Sequence, residues 1–230
     1  MTGDPHALMI FAAGRGTRMG TLCADRPKPL IPVAGRALID HALALAEGCD
    51  PVVINTHYLG GQIAGHFSGH PADHRVKLSP EAELLDTGGG LKAALPLLGP
   101  GPVFTLNADA VWTGPNPLAT LAAAWTPQME ALLLLVPPDR ACGRRGPGDF
   151  AIAPDGRLRR GGELIYTGAQ LLRTEAVAAH RARIFSLNRV WDGMATRGTL
   201  RGALHPGGWG DVGHPAGIAA AEAMLAGAAR

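Results

Sequence analysis

The sequence predicts an α/β fold with a Rossmann-like, doubly wound and mostly parallel sheet. Short, continuous apolar runs are typical of strands buried on both faces, and they occur at 7–13, 51–56, 103–106 and 131–136. Segments with apolar side chains at helical spacing separate these runs. Strand and helix therefore alternate, which indicates a sheet covered by helices on both sides.

The first 136 residues supply most of the predicted sheet. The run at 7–13 is followed at once by glycines, which end the strand. The run at 51–56 is rich in β-branched residues, and a further short strand is predicted at 76–78. Helices are predicted between the strands, at residues 37–47, 60–67, 89–98 and 117–125.

The pattern changes after residue 136. Asp155 and Gly156 separate two strand-like segments, 149–153 and 157–160, and an Asp-Gly pair favours the tight turn of a β-hairpin. One more strand is predicted at 163–172, followed by helices at 176–183, 188–196 and 215–229. Since no repeat or linker divides the sequence, residues 1–230 are predicted to form one domain.

Composition excludes several classes of protein. The 230 residues are 47% hydrophobic, which is enough to form a core and excludes disorder as the main state. The formal net charge is only +2, so no general positive field attracts nucleic acid or an anionic membrane. The three cysteines and nine histidines show no metal-ligand spacing, and the run at 131–136 is too short to cross a bilayer. We therefore expect a soluble, cytoplasmic protein without nucleic-acid or membrane partners.

A glycine-rich loop directly follows the first strand. Gly14 and Gly16 allow backbone N–H groups to point at a phosphate chain, and Arg18 and Lys28 add positive charge nearby. The loop fits neither the Walker motif nor the dinucleotide fingerprint, because both need another glycine spacing. Anion binding is predicted here, whereas a nicotinamide-binding domain is disfavoured.

The loop at 11–19 and the segment at 26–33 together resemble the signature of the sugar-phosphate nucleotidylyltransferases. That signature is A-A-G-x-G-T-R-[LM], followed after a fixed gap by P-K-[PA]-[LM], and the gap here has the family's length. Thr21 and Cys23 depart from the family's usual proline and threonine within the gap. Neither is a phosphate-contacting position, so we interpret both as variation in packing.

Further motifs continue the resemblance along nearly the whole chain. Residues 80–81 and 85–90 resemble the family's nucleobase-recognition segment, and 107–109 resemble its first metal motif. Residues 166–168 resemble its sugar-facing strand, and 209–213 its second metal motif. The motifs occur in the family's order, so together they are highly specific.

Within the family, the short length, the residues 148–150 and the ending at 209–213 most resemble enzymes that act on N-acetylmuramate α-1-phosphate. The resemblance implies transfer of UMP from UTP to this sugar phosphate in peptidoglycan recycling, giving UDP-N-acetylmuramate and pyrophosphate. It implies a glycosyltransferase-A-like fold with a small β-hairpin insertion for the sugar. Residues 1–135 would then mainly bind the nucleotide and 136–230 mainly the sugar.

The resemblance also assigns roles to residues, in a reaction where charge neutralisation and positioning supply nearly all of the catalysis. Catalysis is assigned to Arg18, Lys28 and Asp109, and Mg²⁺ binding to Asp109 and Asp211. The backbones of Gly88 and Gly89 are expected to contact the nucleobase. Nucleotide contacts are assigned to Ala12, Ala13, Gly14, Gly16, Thr17, Arg18, Lys28, Glu81, Thr87, Gly88, Gly89 and Asn107. Sugar contacts are assigned to Asn107, Gly148, Asp149, Glu163, Thr167 and Gly168.

Several alternatives stay open at this point. The substrate pair could instead be that of a mannose-1-phosphate guanylyltransferase or of a glucose-1-phosphate thymidylyl- or uridylyltransferase. An inactive, nucleotide-sensing homologue is a non-enzymatic alternative, although it would be expected to lack the lysine or the aspartates. Asp109 could be a helix N-cap or turn residue, and Asp211 a turn aspartate.

A basic cluster in the second half has two interpretations. It could be a solvated face, or one or two of its arginines could contact the lactyl carboxylate that distinguishes muramate from glucosamine. Its members are Arg140, Arg144, Arg145, Arg157, Arg159 and Arg160.

Overall fold

The computed structural model describes residues 6–228 and confirms the predicted α/β class. The strands are β1 (Ala7–Phe11), β2 (Pro32–Val33), β3 (Arg36–Ala37), β4 (Val52–Thr56), β5 (Val76–Pro80), β6 (Val103–Asn107), β7 (Ala110–Trp112), β8 (Ala131–Val136), β9 (Ala141–Cys142), β10 (Phe150–Ile152), β11 (Leu158–Arg160), β12 (Ile165–Leu172), β13 (Leu200–Leu204) and β14 (Trp209–Asp211). The helices are α1 (Leu38–Ala44), α2 (Gly60–Phe67), α3 (Asp86–Leu98), α4 (Pro117–Ala124), α5 (Glu175–Ala178), α6 (Leu187–Thr196) and α7 (Pro215–Ala228).

The central sheet has seven strands in the order β13-β8-β12-β6-β1-β4-β5. Strand β12 is antiparallel to both of its neighbours, and the other neighbouring pairs are parallel. A smaller sheet, β7-β14-β9, and the hairpin β10-β11 lie outside it. The predicted hairpin is therefore present, and the central sheet contains strands from both predicted halves.

Alternating side chains of β1 enter two different cores. Leu8 and Ile10 pack with apolar residues of α1, α2 and α4, whereas Ala7 and Met9 pack with those of α3 and α6. The sheet thus lies between two helical layers, as the continuous apolar runs predict. Within residues 6–228, no helix is both long enough and apolar enough to span a membrane.

Three predicted helices differ by several residues from those observed, and the first, α1, ends at Ala44 rather than at residue 47. Helix α3 begins at Asp86 rather than at residue 89, and the helix predicted at 176–183 is reduced to α5. The chain leaves α5 because Phe185 turns back onto α3, where its carbonyl oxygen accepts bonds from Gly88 and Gly89. The last residue of the helix predicted at 215–229 lies outside the described residues.

Strands β7, β13 and β14 were not predicted. Strands β7 and β14 have only three residues each, and β13 and β14 contain glycine, so neither propensity nor periodicity marks them. Long-range pairing creates them: β13 pairs with β8, and β14 pairs with β7 and β9.

Candidate active site

The parallel strands β1, β4 and β6 bring polar groups together at their carboxyl ends. Phe11 at the end of β1 is in register with Asn55 on one side and Asn107 on the other. The glycine loop leaves β1 at this edge, the position where open α/β sheets bind ligands. The predicted anion loop is therefore placed beside two side-chain amides.

Lys28 and Asp109 form an ion pair at this edge. The Lys28 Nζ lies 2.5 Å from the Asp109 Oδ2. Pro27 and Pro29 restrict the backbone on either side of Lys28, which begins a one-turn 3₁₀ helix and is 9% exposed. A buried lysine needs a partner, and Asp109 supplies it.

Asp211 lies next to Asp109 although the two residues are far apart in sequence. It pairs with Ala110 across β14 and β7, and the Val212 N–H donates to the Asp109 carbonyl oxygen at 2.9 Å. Burial raises the pKa of the Asp211 carboxyl, and the Asp109 charge raises this pKa further. Lys28 and Arg18 oppose the shift, so they too are close.

The first of two adjoining cavities has a volume of about 470 Å³ and lies over the glycine loop. Leu84 and Ile184 line it and are unusually exposed for apolar residues, at 41% and 51%. Apolar walls of this kind suit the face of a nucleobase. Eight residues that are assigned to nucleotide binding or catalysis also line this cavity: Ala12, Ala13, Gly14, Lys28, Glu81, Thr87, Asn107 and Asp109.

A buried hydrogen-bond chain holds the glycine loop in place. The Ala12 N–H donates to Asn55 Oδ1 at 2.8 Å, and the Asn55 amide donates to Glu81 Oε1 at 2.7 Å. The second carboxylate oxygen of Glu81 accepts from the Leu85 N–H at 2.9 Å. Glu81, predicted to contact the nucleotide, thus also links the loop to the segment before α3.

The second cavity lies between the central sheet, the hairpin and α6. Phe11, Asp86, Thr87, Asn107 and Asp109 line both cavities and therefore mark their junction. Arg18, Asp149, Gly168 and Asp211 line only the second cavity among the residues described. Two elongated substrates could therefore meet beside Asp109.

Comparison with known proteins agrees with this architecture. The family model for the MobA-like NTP transferase domain matches residues 8–226. The chain belongs to this family. An N-acetylmuramate α-1-phosphate uridylyltransferase of Caulobacter vibrioides is 39% identical over 98% of this chain and 99% of its own. Another enzyme of that name, from Neisseria meningitidis serogroup B, is 36% identical over 94% and 96% of the two chains.

Solved structures show the same fold at lower identity. HddC from Yersinia pseudotuberculosis, complexed with GMP-PN, is 20% identical with a TM-score of 0.79, covering 96% of this chain and 99% of its own. A UDP-glucose pyrophosphorylase complexed with UDP-glucose is 15% identical with a TM-score of 0.78, covering 97% and 99%. The mostly parallel α/β fold that the resemblance to sugar-phosphate nucleotidylyltransferases implied is therefore confirmed.

The backbone N–H groups of Gly88 and Gly89, which are predicted to contact the nucleobase, have a partner within the protein. Both N–H groups donate to the Phe185 carbonyl oxygen, at 2.9 and 3.0 Å. A Cβ on Gly88 would lie 2.4 Å from the Phe185 ring, and one on Gly89 would lie 2.3 Å from the Arg183 carbonyl oxygen. These glycines allow residues 183–185 to pack closely on this MobA-like domain, and their contact with a nucleobase stays a prediction.

Three predicted sugar residues do not line the second cavity. Thr167 is fully buried, and its hydroxyl donates to the Leu134 carbonyl oxygen at 2.7 Å. Gly148 packs against the backbone of Glu163, which is itself exposed and outside the cavity. Both Thr167 and Gly148 therefore contact the protein itself, Thr167 through β8 and Gly148 through the backbone of residues 162–163.

Gly16 and Thr17 lie outside both cavities among the described residues. Gly16 has φ +64°, and a Cβ there would lie 2.6 Å from Cys23 Sγ and 3.1 Å from Lys28 Cβ. The glycine therefore lets the loop pack closely against Lys28. Thr17 begins a 3₁₀ helix and is exposed.

Several residues that line the cavities or hold the glycine loop are not among the site residues predicted from the sequence. Leu84 and Ile184 carry no motif, and their exposure could be found only in three dimensions. Asp86 lies at the junction with φ +62°, a conformation that favours glycine. Asn55 did carry a signal, because it is a polar residue at the end of an apolar strand.

Gly168 provides a test of packing at the junction. Its φ is +83°, and a Cβ there would lie 2.6 Å from Asn107 Cγ, whereas Gly161 has φ +76° with open space. We expect Gly168→Ala to reduce the free energy of unfolding by about 3 kcal/mol and Gly161→Ala by about 1 kcal/mol. Urea unfolding measures both values. Equal losses would show that Asn107 does not restrict this position.

Proposed function

We propose that this protein transfers UMP from UTP to N-acetylmuramate α-1-phosphate, forming UDP-N-acetylmuramate and pyrophosphate in peptidoglycan recycling. The observation that supports it most is the junction of two cavities beside Lys28, Asp109 and Asp211. The sugar is chosen because the two near-full-length relatives carry that activity in their names. A cytoplasmic location is proposed with it, since UTP is supplied there.

The reaction needs charge neutralisation more than proton transfer. A phosphate oxygen of the sugar 1-phosphate attacks the α-phosphorus of UTP, the bond from that phosphorus to the bridging oxygen breaks, and pyrophosphate leaves. The attacking phosphate is already ionised at neutral pH, so no general base is required. Positively charged groups at the junction are therefore the central requirement.

Lys28 and Arg18 have different proposed roles. Lys28 lines the first cavity and would contact oxygens at the α-phosphate. Arg18 is exposed and lines the second cavity near Asp211, where it would stabilise charge that develops as pyrophosphate leaves. Together they would offset the repulsion between two anionic substrates.

Asp109 and Asp211 are the proposed Mg²⁺ ligands. Mg²⁺ prefers oxygen donors and takes few protein carboxylates, so two adjoining aspartates whose charges oppose each other fit it. When bound, Mg²⁺ would neutralise phosphate charge at the junction. Asp40 on α1, His66 on α2 and His70 after α2 form another cluster, but imidazole nitrogen does not suit Mg²⁺.

A panel of substrates tests the proposed activity. Pyrophosphate release is measured for UTP, CTP, GTP, dTTP and ATP with the 1-phosphates of N-acetylmuramate, N-acetylglucosamine, glucose and mannose. We expect the highest kcat/KM for UTP with N-acetylmuramate α-1-phosphate. A higher value for GTP with mannose 1-phosphate, or for dTTP with glucose 1-phosphate, would assign another sugar. No turnover with any pair, with UTP still bound, would identify a nucleotide-sensing homologue.

A further inference from the structure

Two arginines of the basic cluster face the second cavity. Arg144 and Arg160 line it, whereas Arg140, Arg145, Arg157 and Arg159 do not. The hairpin register explains part of this division. Arg160 pairs with Phe150 and Arg159 with Ala151, so the two neighbouring arginines project from opposite faces of the hairpin.

The guanidinium group of Arg144 already donates hydrogen bonds to protein acceptors. Its Nη2 donates to Asp149 Oδ1 at 2.6 Å, and its Nη1 donates to the Pro147 carbonyl oxygen at 2.5 Å. The other oxygen of Asp149 accepts from the Tyr166 N–H at 2.9 Å. Arg144 and Asp149 therefore join the hairpin to β12, and both have a structural explanation.

Arg160 is held in place but keeps free donor capacity. Its guanidinium carbon lies 5.0 Å from the Phe150 ring centroid and 5.6 Å from that of Trp191. Its Nε and Nη2 donate to Asp192 Oδ1, at 3.2 and 2.9 Å, and Nη2 also donates to the Asn188 carbonyl oxygen at 3.3 Å. In the part of the chain that the structure describes, no protein acceptor is recorded for Nη1. Two aromatic rings and one carboxylate thus orient a guanidinium with an unused N–H pair.

Among the described residues, four aspartates and three arginines line the second cavity, and only an arginine could pair with the charge of a substrate carboxylate there. Asp86, Asp109, Asp149 and Asp211 line this cavity and would repel a second anion. Of the three arginines that line it, Arg18 is close to Asp211 at the reaction centre and Arg144 is already paired. Arg160 is paired as well, with Asp192, but its Nη1 has no protein acceptor among the described residues and so can still donate to a carboxylate along this wall.

We propose that Arg160 binds the lactyl carboxylate of the muramate substrate and so selects it over the same sugar without the lactyl group, an inference that rests on the proposed function. The Nη1 group would donate to the carboxylate, while Phe150, Trp191 and Asp192 keep the guanidinium in position. Arg160 is thus a specificity-determining residue and takes no part in bond formation.

The test compares Arg160→Gln with Arg159→Gln on two substrates. For Arg160→Gln we expect kcat/KM with N-acetylmuramate α-1-phosphate to fall about 30-fold, mainly through KM. The values for N-acetylglucosamine 1-phosphate and the KM for UTP should change less than about twofold. Arg159→Gln should leave all of these values unchanged, since its side chain lies on the opposite face.

The outcomes of this comparison distinguish a failure of the role of Arg160 from a failure of the proposed function. Equal losses on both sugars for Arg160→Gln, or a matching loss for Arg159→Gln, would overturn the role of Arg160 alone. A wild-type enzyme that does not use the muramate substrate would overturn the proposed function and this role together. If Arg160→Gln does not fold, the same kinetic comparison is made with Arg160→Lys, because lysine keeps the charge but lacks the planar Nη1 donor. If the glucosamine substrate is turned over too slowly, calorimetric binding of the two UDP-sugar products replaces it.

Discussion

Lys28→Met is expected to lower kcat about 10³-fold, because it removes the buried positive charge where the two phosphates meet. The ammonium group is held 2.5 Å from Asp109 and is shielded from solvent, so its field is only weakly screened. Methionine keeps much of the side-chain volume but cannot offset the repulsion between the substrates. Initial rates of pyrophosphate release at saturating UTP and Mg²⁺ measure the effect.

Lys77→Met is the matched control for this prediction. Lys77 is exposed on β5, away from both cavities, so its loss should leave kcat within about twofold. Circular dichroism and thermal unfolding report whether Lys28→Met remains folded with Asp109 unpaired. Near-normal kcat in folded Lys28→Met would remove Lys28 from the reaction centre.

Asp211→Asn is expected to have opposite effects on activity and on stability. The raised pKa of Asp211 means that the folded state favours its protonated form. At neutral pH the ionised carboxylate therefore reduces stability, and this cost disappears as the pH falls through the raised pKa towards the ordinary aspartate value. Asparagine should raise Tm at neutral pH, with a gain that shrinks in acid, while kcat falls about 10³-fold through weaker Mg²⁺ binding.

Asp139→Asn is the control, since Asp139 is exposed and lies outside both cavities. The double variant with Asp109→Asn should lose little more activity than either single variant, because both aspartates are proposed to serve one ion. Rates are measured across a Mg²⁺ titration, and Tm across a pH series. Unchanged Mg²⁺ dependence in Asp211→Asn would contradict its assignment as a ligand, and a lower Tm at neutral pH would contradict the sign of the pKa effect.

Local sequence predicts much of the fold, and the strands that it does not predict share one cause. Strands β1, β4, β6 and β8 are marked by continuous apolar runs, since both faces of each are buried. Strand β14 has no such pattern and forms only where β7 and β9 provide hydrogen-bonding partners. Its prediction would have required knowledge of residues about 70 to 100 positions away.

In the candidate site, too, some residues could be assigned from local sequence and others depend on distant packing. The glycine loop and Lys28 lie close together in sequence and form one local motif, so their chemistry could be inferred directly. Gly88 and Gly89 could not be assigned from sequence, because a close approach by Phe185 and one by a nucleobase both require glycine. The partner of a glycine is set by whichever distant segment packs on it.

The sequence by itself determined the α/β class and predicted the anion loop, because these depend on periodicity and on glycine geometry, and its family motifs pointed to the acidic residues proposed for Mg²⁺. Tertiary structure alone decided that Asp211 lies beside Asp109 and that Arg160 faces the cavity while Arg159 does not. The physical reason is strand register. A shift of one residue reverses the face to which every side chain points, and register is fixed only when distant strands pair.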